Sequence, residues 1–245
     1  MSPRRTLATS ARVLKQLKHD HRTLGLMFVV PLVLLGLLAW IFSGTPKVFD
    51  MIGAPLLGVF PFVVMFLTTS IATLRERAGG TLERLLTMPI AKLDIIIGYA
   101  LTFGLIAVVQ ATLASLVATR LYGLNIAGPE WFLIVVAVAN AVLGTTLGLL
   151  ASAFARTEFQ AAQFMPAFIL PQFLLCGLLV PVDKLPAALE AVANILPLTY
   201  AVEAMGLVAR YATVPSEAVT DVFVVVGFAL AAIVLGAATL RRQTK

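Results

Sequence analysis

The sequence predicts an all-α integral membrane protein of six transmembrane helices, and three observations carry that expectation. Hydrophobic residues fill 60% of 245 positions and charged residues only 12%, about half the charged share of a soluble domain. Six apolar runs without charge recur along the chain, each close to the roughly 20 residues that a helix needs to cross a bilayer core. With the N-terminus inside, the loops between these runs collect the basic residues on one side, as the positive-inside bias requires.

The runs are Leu24 to Phe42, Met51 to Leu74, Ile95 to Thr119, Trp131 to Ala155, Phe159 to Val182 and Val222 to Leu240. Prolines interrupt the first (Pro31), second (Pro55, Pro61) and fifth (Pro166, Pro171). Backbone inside lipid has to satisfy its own hydrogen bonds, so all six read as helices. Together they make one transmembrane domain over residues 1–245, with no room for a sizeable soluble domain. The first run is longer than a signal-peptide core and is followed by no small-residue cleavage site, so it reads as a retained span. Cys176, the single cysteine, excludes an intrachain disulfide and a cysteine-cluster metal site.

The stretch Leu185 to Ala209 is apolar overall but contains Glu190, Asn194, Pro197, Thr199, Tyr200 and Glu203. Each acid at the centre of a lipid-facing helix costs roughly 2.5 to 3.5 kcal/mol on insertion scales. Pro197 divides the stretch into two pieces too short to span, so it reads as two re-entrant helices in the outer leaflet. Charge supports this: six spans put 14 of the 18 basic residues on the cytoplasmic side and leave only Lys47, Arg120, Lys184 and Arg210 outside. A seventh span would carry Arg241, Arg242 and Lys245 out, against the bias. Both termini are therefore expected in the cytoplasm.

Ser10 to Arg22 places Val13, Leu14 and Leu17 on one helical face and Arg12, Lys15, Lys18 and Arg22 on the rest. That pattern suits an amphipathic helix lying on the cytoplasmic leaflet; the plainer reading is a topology signal alone. His19 and His21 flank Asp20, too few ligands for a metal site.

The loop Arg75 to Pro89 is the most informative segment. Gly79 and Gly80 interrupt the preceding helix, Thr81 can cap a new one, and Glu83 sits in its first turn, where the helix dipole favours an acid. Leu82, Leu85 and Leu86 make an apolar face, and Pro89 marks the end. So short a helix needs a surface to lie on: either the membrane interface or a groove in a cytoplasmic partner. In the fourth run Asn140, Gly144, Gly148 and Ser152 recur every four residues, a small-residue stripe that permits close helix packing. Gln110, Asn140, Gln163 and Gln172 are candidates for lining a cavity, with bonding between helices as the competing reading.

No Gly-x-x-x-x-Gly-Lys-Ser/Thr phosphate loop occurs in the sequence, so no ATP site of that kind is expected in this chain. Protease and hydrolase signatures and paired carboxylates within spans are likewise missing. Scarce intramembrane charge also disfavours an ion-coupled carrier.

Glu76 to Pro89 (ERAGGTLERLLTMP) resembles the Glu-x-x-x-Gly-Thr-x-Glu-x-Leu-x-x-x-Pro loop of type-2 ABC transporter permeases. Cys176 to Gly206, with Gly177, Pro181, Leu185, Pro186, Pro197, Leu198, Tyr200, Glu203 and Gly206, resembles the exit of the fifth span and the re-entrant outer segment of the same family. The resemblance runs from the basic N-terminal helix to the basic tail and is nearest to bacterial permeases for drugs, antibiotics or lipid-linked saccharides. It implies two permease chains with two nucleotide-binding subunits, which bind the ATP and magnesium that this chain does not. It also implies a coupling helix at Thr81 to Pro89, framed by Arg75, Glu76, Arg77, Gly80, Glu83 and Arg84. Pro197, Tyr200 and Glu203 become candidates for an outer gate, against a Glu203 that is merely hydrated at the interface. The function expected is export of an amphipathic cargo across the cell membrane. The alternative is a secondary transporter or channel working without an ATPase. The expected partners are an ATPase subunit, a second permease chain and lipid, with no nucleic acid.

Overall fold

A computed structural model describes residues 2–80 and 92–239. Nine α-helices lie within them: α1 (Pro3–His19), α2 (His21–Ile41), α3 (Pro46–Ala78), α4 (Lys92–Arg120), α5 (Glu130–Ser152), α6 (Glu158–Leu175), α7 (Ala187–Ala193), α8 (Pro197–Arg210) and α9 (Ser216–Thr239). A 3-10 turn, Val182–Lys184, follows α6. No strand occurs among the described residues. The expected coupling-helix residues Thr81, Leu82, Glu83, Leu85, Leu86 and Pro89 lie outside the described residues.

Five helices, α2, α3, α4, α5 and α9, are long and apolar enough to cross a membrane, and the bent pair α7–α8 raises the number to six if it counts as one span. The chain is a multi-pass membrane protein. The fifth run departs from expectation. Its helix stops at Leu175 rather than Val182, and its three glutamines and two prolines keep it out of the membrane-capable set. Gly177, in the left-handed region at φ +89, and Pro181 explain the stop. The 185–209 stretch forms two short helices, as expected, with an 86° bend between them.

The α3–α5 pair is the centre of the bundle. In each helix 61% of the apolar window is buried, against 17% for α2 and 22% for α9. The small-residue stripe accounts for this contact: a β-carbon on Gly144 or Gly148 would strike the carbonyl oxygen of Phe62 or Phe66. Backbones that approach this closely gain dispersion contacts over a long seam, the main attraction available between helices in lipid. Asn140 adds a bond from its side-chain amide to the Gly58 carbonyl at 2.9 Å.

Gln110 repairs a different fault. Pro31 has no N–H, so the carbonyl four residues earlier, on Met27, loses its helical partner. The buried Gln110 amide on α4 donates to that carbonyl. Gln110→Leu is expected to cost about 1 kcal/mol, the scale of an interhelical bond in a membrane protein, read as an earlier midpoint in unfolding from detergent micelles.

Candidate functional site

Arg75, Glu76 and Arg77 are consecutive in the last turn of α3, and a helix turns about 100° per residue. They therefore point in three directions, and each grips a different neighbour. Arg75 makes a two-pronged pair with Glu158 at the start of α6, at 3.0 and 2.9 Å. Its hydrogen bonds hold the Glu158 carboxyl below the usual range. Both side chains are 53% exposed, so the pair stabilises by well under about 1 kcal/mol. Arg77 donates to the Ser152 carbonyl at the C-terminus of α5, where a cation meets the negative end of the helix dipole.

Glu76 is the buried member. Its carboxylate accepts from Arg12 of α1 at 2.8 Å and from the hydroxyl of Tyr99 on α4. The same Arg12 amino group donates to the Tyr99 oxygen at 2.8 Å, closing a triangle, and its guanidinium lies over the Tyr99 ring. Glu76 is 8% and Tyr99 2% exposed, while the Arg12 side chain keeps 33%. Directly beyond this turn α3 ends. Gly79 donates to the Arg75 carbonyl, Gly80 donates to the Arg77 carbonyl, and Gly80 adopts φ +72, a conformation that glycine reaches without strain.

A second anchor ties α1 to the far side of the loop. Asp94, in the first turn of α4, accepts from the Ser2 amide at 3.1 Å and the Thr6 hydroxyl at 3.3 Å, and so caps the N-terminus of α1. Between the anchors, Gly98 lets Thr9 sit so close that a β-carbon there would lie 2.7 Å from it. Ser10 and Thr102 bond at 2.9 Å. Helix α1 thus bridges the two helix ends that flank residues 81–91, held by Glu76 before them and Asp94 after them.

Several of these partners were not visible as site residues in the sequence. The signal was there as spacing: Asp94, Gly98 and Thr102 recur every four residues, and they meet Thr6, Thr9 and Ser10 of α1. The N-terminal helix itself needs correcting from 10–22 to Pro3–His19. Asp20 ends it because its carboxylate accepts the Thr23 amide at 3.1 Å and starts α2 instead. Leu14, expected on the apolar face, stays 39% exposed, and buried Thr6 and Thr9 take part of that face.

At the opposite end, Pro197 opens α8, where its missing N–H costs nothing. Tyr200 donates to the Asn194 carbonyl at 2.6 Å and Thr199 to the Ala193 carbonyl at 2.8 Å, so both pin the bend between α7 and α8. Glu203 is exposed, and Asp221 is buried in the second turn of α9. Gln163 is exposed; Gln172 bonds the Phe168 carbonyl of its own helix.

The comparisons with known proteins bear on this arrangement. The family model described as ABC-2 type transporter matches residues 4–208, from the start of α1 to the last turn of α8. The chain belongs to the ABC-2 type transporter family. The protein named probable multidrug ABC transporter permease YbhS, of Escherichia coli, is 28% identical over 69% of this chain. The linearmycin resistance permease protein LnrN of Bacillus subtilis is 29% identical over 69%, and ABC transporter G family member 20 of Dictyostelium discoideum is 30% identical over 65%. The chain aligns with only 45%, 43% and 22% of those proteins respectively. It is an ABC permease domain, and its helices are those of the membrane part.

Proposed function

We propose that this ABC-2 permease is the membrane subunit of an ATP-driven exporter that moves an amphipathic cargo outward across the cell membrane. A separate nucleotide-binding subunit binds ATP and magnesium and seats Thr81 to Pro89 in a surface groove. A second permease chain completes the transport path. The observation that carries this reading is the fan of Arg75, Glu76 and Arg77. One turn of α3, immediately before that segment, is bonded to α1, α4, α5 and α6 at once. A displacement of the segment that follows this turn is passed to four helices through direct side-chain hydrogen bonds rather than through soft packing alone. Such a hub suits a machine driven from its cytoplasmic end.

The names of the relatives favour drugs or antibiotics as cargo, and the apolar helices favour amphiphiles over ions. Pro197, Tyr200 and Glu203 would then frame the outer exit. Both termini would lie in the cytoplasm.

Glu83→Arg combined with Leu86→Asp reverses the charge and breaks the apolar face expected of the coupling segment. The expected result is loss of ATPase co-purification and of export, with the permease itself still folded. Normal association and export by that double variant would overturn the coupling role.

A further inference from the structure

A cavity of about 470 Å³ opens between α1, α2, α3 and α4, directly beside the Arg12–Glu76–Tyr99 triangle. That volume lies within the range of small-molecule sites, about 300 to 1,000 Å³. On α3 it runs from Glu76 to Val64, twelve steps along the helix or about 18 Å at 1.5 Å per residue. This is close to half of a hydrocarbon core about 30 Å thick. The deep wall is apolar, with Leu67, Ile71 and Phe103, while the mouth holds Asp20 and Arg75. Helix α2, which walls one side, is the least buried of the membrane-capable helices, so the cavity has a lateral neighbour that lipid surrounds.

We propose that this cavity binds a single-chain amphiphile with a zwitterionic head, received from the leaflet nearest α1 as transport cargo. The assignment of cargo rests on the export reading above; the site itself does not. Three features select this occupant. The length of the cavity matches one leaflet's chain layer, and its volume suits one chain rather than the paired chains of a bilayer lipid. The mouth carries charges of both signs, the Asp20 carboxylate and the Arg75 guanidinium that also holds Glu158, which complement a head bearing both and give no advantage to a net charge of either sign. Because Glu76 and Tyr99 form part of the wall, a bound chain touches the residues that hold α1 to α3 and α4.

The test uses the full chain in nanodiscs, without any ATPase, and an alkylphosphocholine carrying a diazirine near the chain end. Photolabelling followed by peptide mapping is expected to place the label between Val64 and Glu76 and between Tyr99 and Phe103. Labelling should saturate, and excess unlabelled alkylphosphocholine should suppress it. Thr68→Phe fills the cavity; the Thr68 hydroxyl bonds only its own helix at Val64 among the described contacts. It should lower labelling about tenfold, a loss of about 1.4 kcal/mol in affinity. Three results would overturn the site: equal labelling from a diazirine borne on bilayer phosphatidylcholine, label spread without saturation over lipid-facing α2 and α9, or preference for an anionic or cationic head on the same chain. Transport with the ATPase present is scored separately. Saturable labelling without export sinks the export reading and keeps the site, whereas export without labelling does the reverse.

Discussion

Gly148→Leu is expected to leave almost no folded protein, and Gly148→Ala to leave a destabilised one. The β-carbon of either variant meets the carbonyl oxygen of Phe66 on α3, a backbone atom that no rotamer change can move. Relief requires α3 and α5 to separate along the seam that also holds Gly144 against Phe62 and Asn140 against Gly58. Overpacking a tight core costs typically 1 to 3 kcal/mol or more. In lipid the hydrophobic effect does not draw displaced helices back together. The alanine variant should lose about 2 kcal/mol by that scale, and leucine, with three further carbons, should exceed what a marginally stable bundle tolerates. Gly227→Ala is the control, because nothing lies within 4 Å of its added carbon. The measurement is the monodisperse fraction on size exclusion and the thermal midpoint in detergent. A Gly148→Leu protein that melts with the parent would show that α3 and α5 do not meet backbone to backbone.

Glu76→Ala should have the second-largest effect, and the more informative one. Removing the carboxylate leaves the Arg12 guanidinium and the buried Tyr99 hydroxyl facing each other without an acceptor for both. Breaking one side of a buried pair costs about 3 to 5 kcal/mol. The 33% exposure of Arg12 lets water recover part of this, so about 2 to 3 kcal/mol is expected. The double variant Arg12→Met with Glu76→Met should lose less than the two single losses combined, because neither charge is stranded. If the triangle also transmits loop motion, export by the double variant should fall further than its stability does. A double variant with parental stability and parental export would show that the triangle serves neither purpose.

The membrane class, the order of the helices and the bend at Pro197 were legible because each depends on local chemistry. A run without charge, a proline after a short apolar piece and a glycine pair before a cappable threonine act through their own neighbours in sequence. The glycine stripe of α5 was legible as a packing face, but its partner on α3 was not, since nothing in the stripe names Phe62 or Phe66. Gln110 and Asn140 had competing readings as cavity lining and as helix bonding. The structure puts both on carbonyls of neighbouring helices, and Gln110 is explained by a proline 79 residues earlier in the chain. The boundary errors have similar causes. Hydropathy carried the fifth run to Val182 because it does not register the left-handed turn at Gly177. It began the first helix at Ser10 because a stripe of threonines does not look apolar.

By itself the sequence determined that this chain lives in a bilayer and how often its apolar segments recur. Those properties follow from residue polarity and backbone preference, which each residue carries wherever it sits. Only the tertiary structure decided what the last turn of α3 is attached to. Arg75, Glu76 and Arg77 are three adjacent charges in sequence. They become a hub because α6 brings Glu158, α1 brings Arg12, α4 brings Tyr99 and α5 brings an open carbonyl to the three faces of one helical turn. The clasp of α1 across the loop, through Glu76 and Asp94, is of the same kind: it joins residues 64 and 92 positions apart, and only a folded bundle sets that proximity.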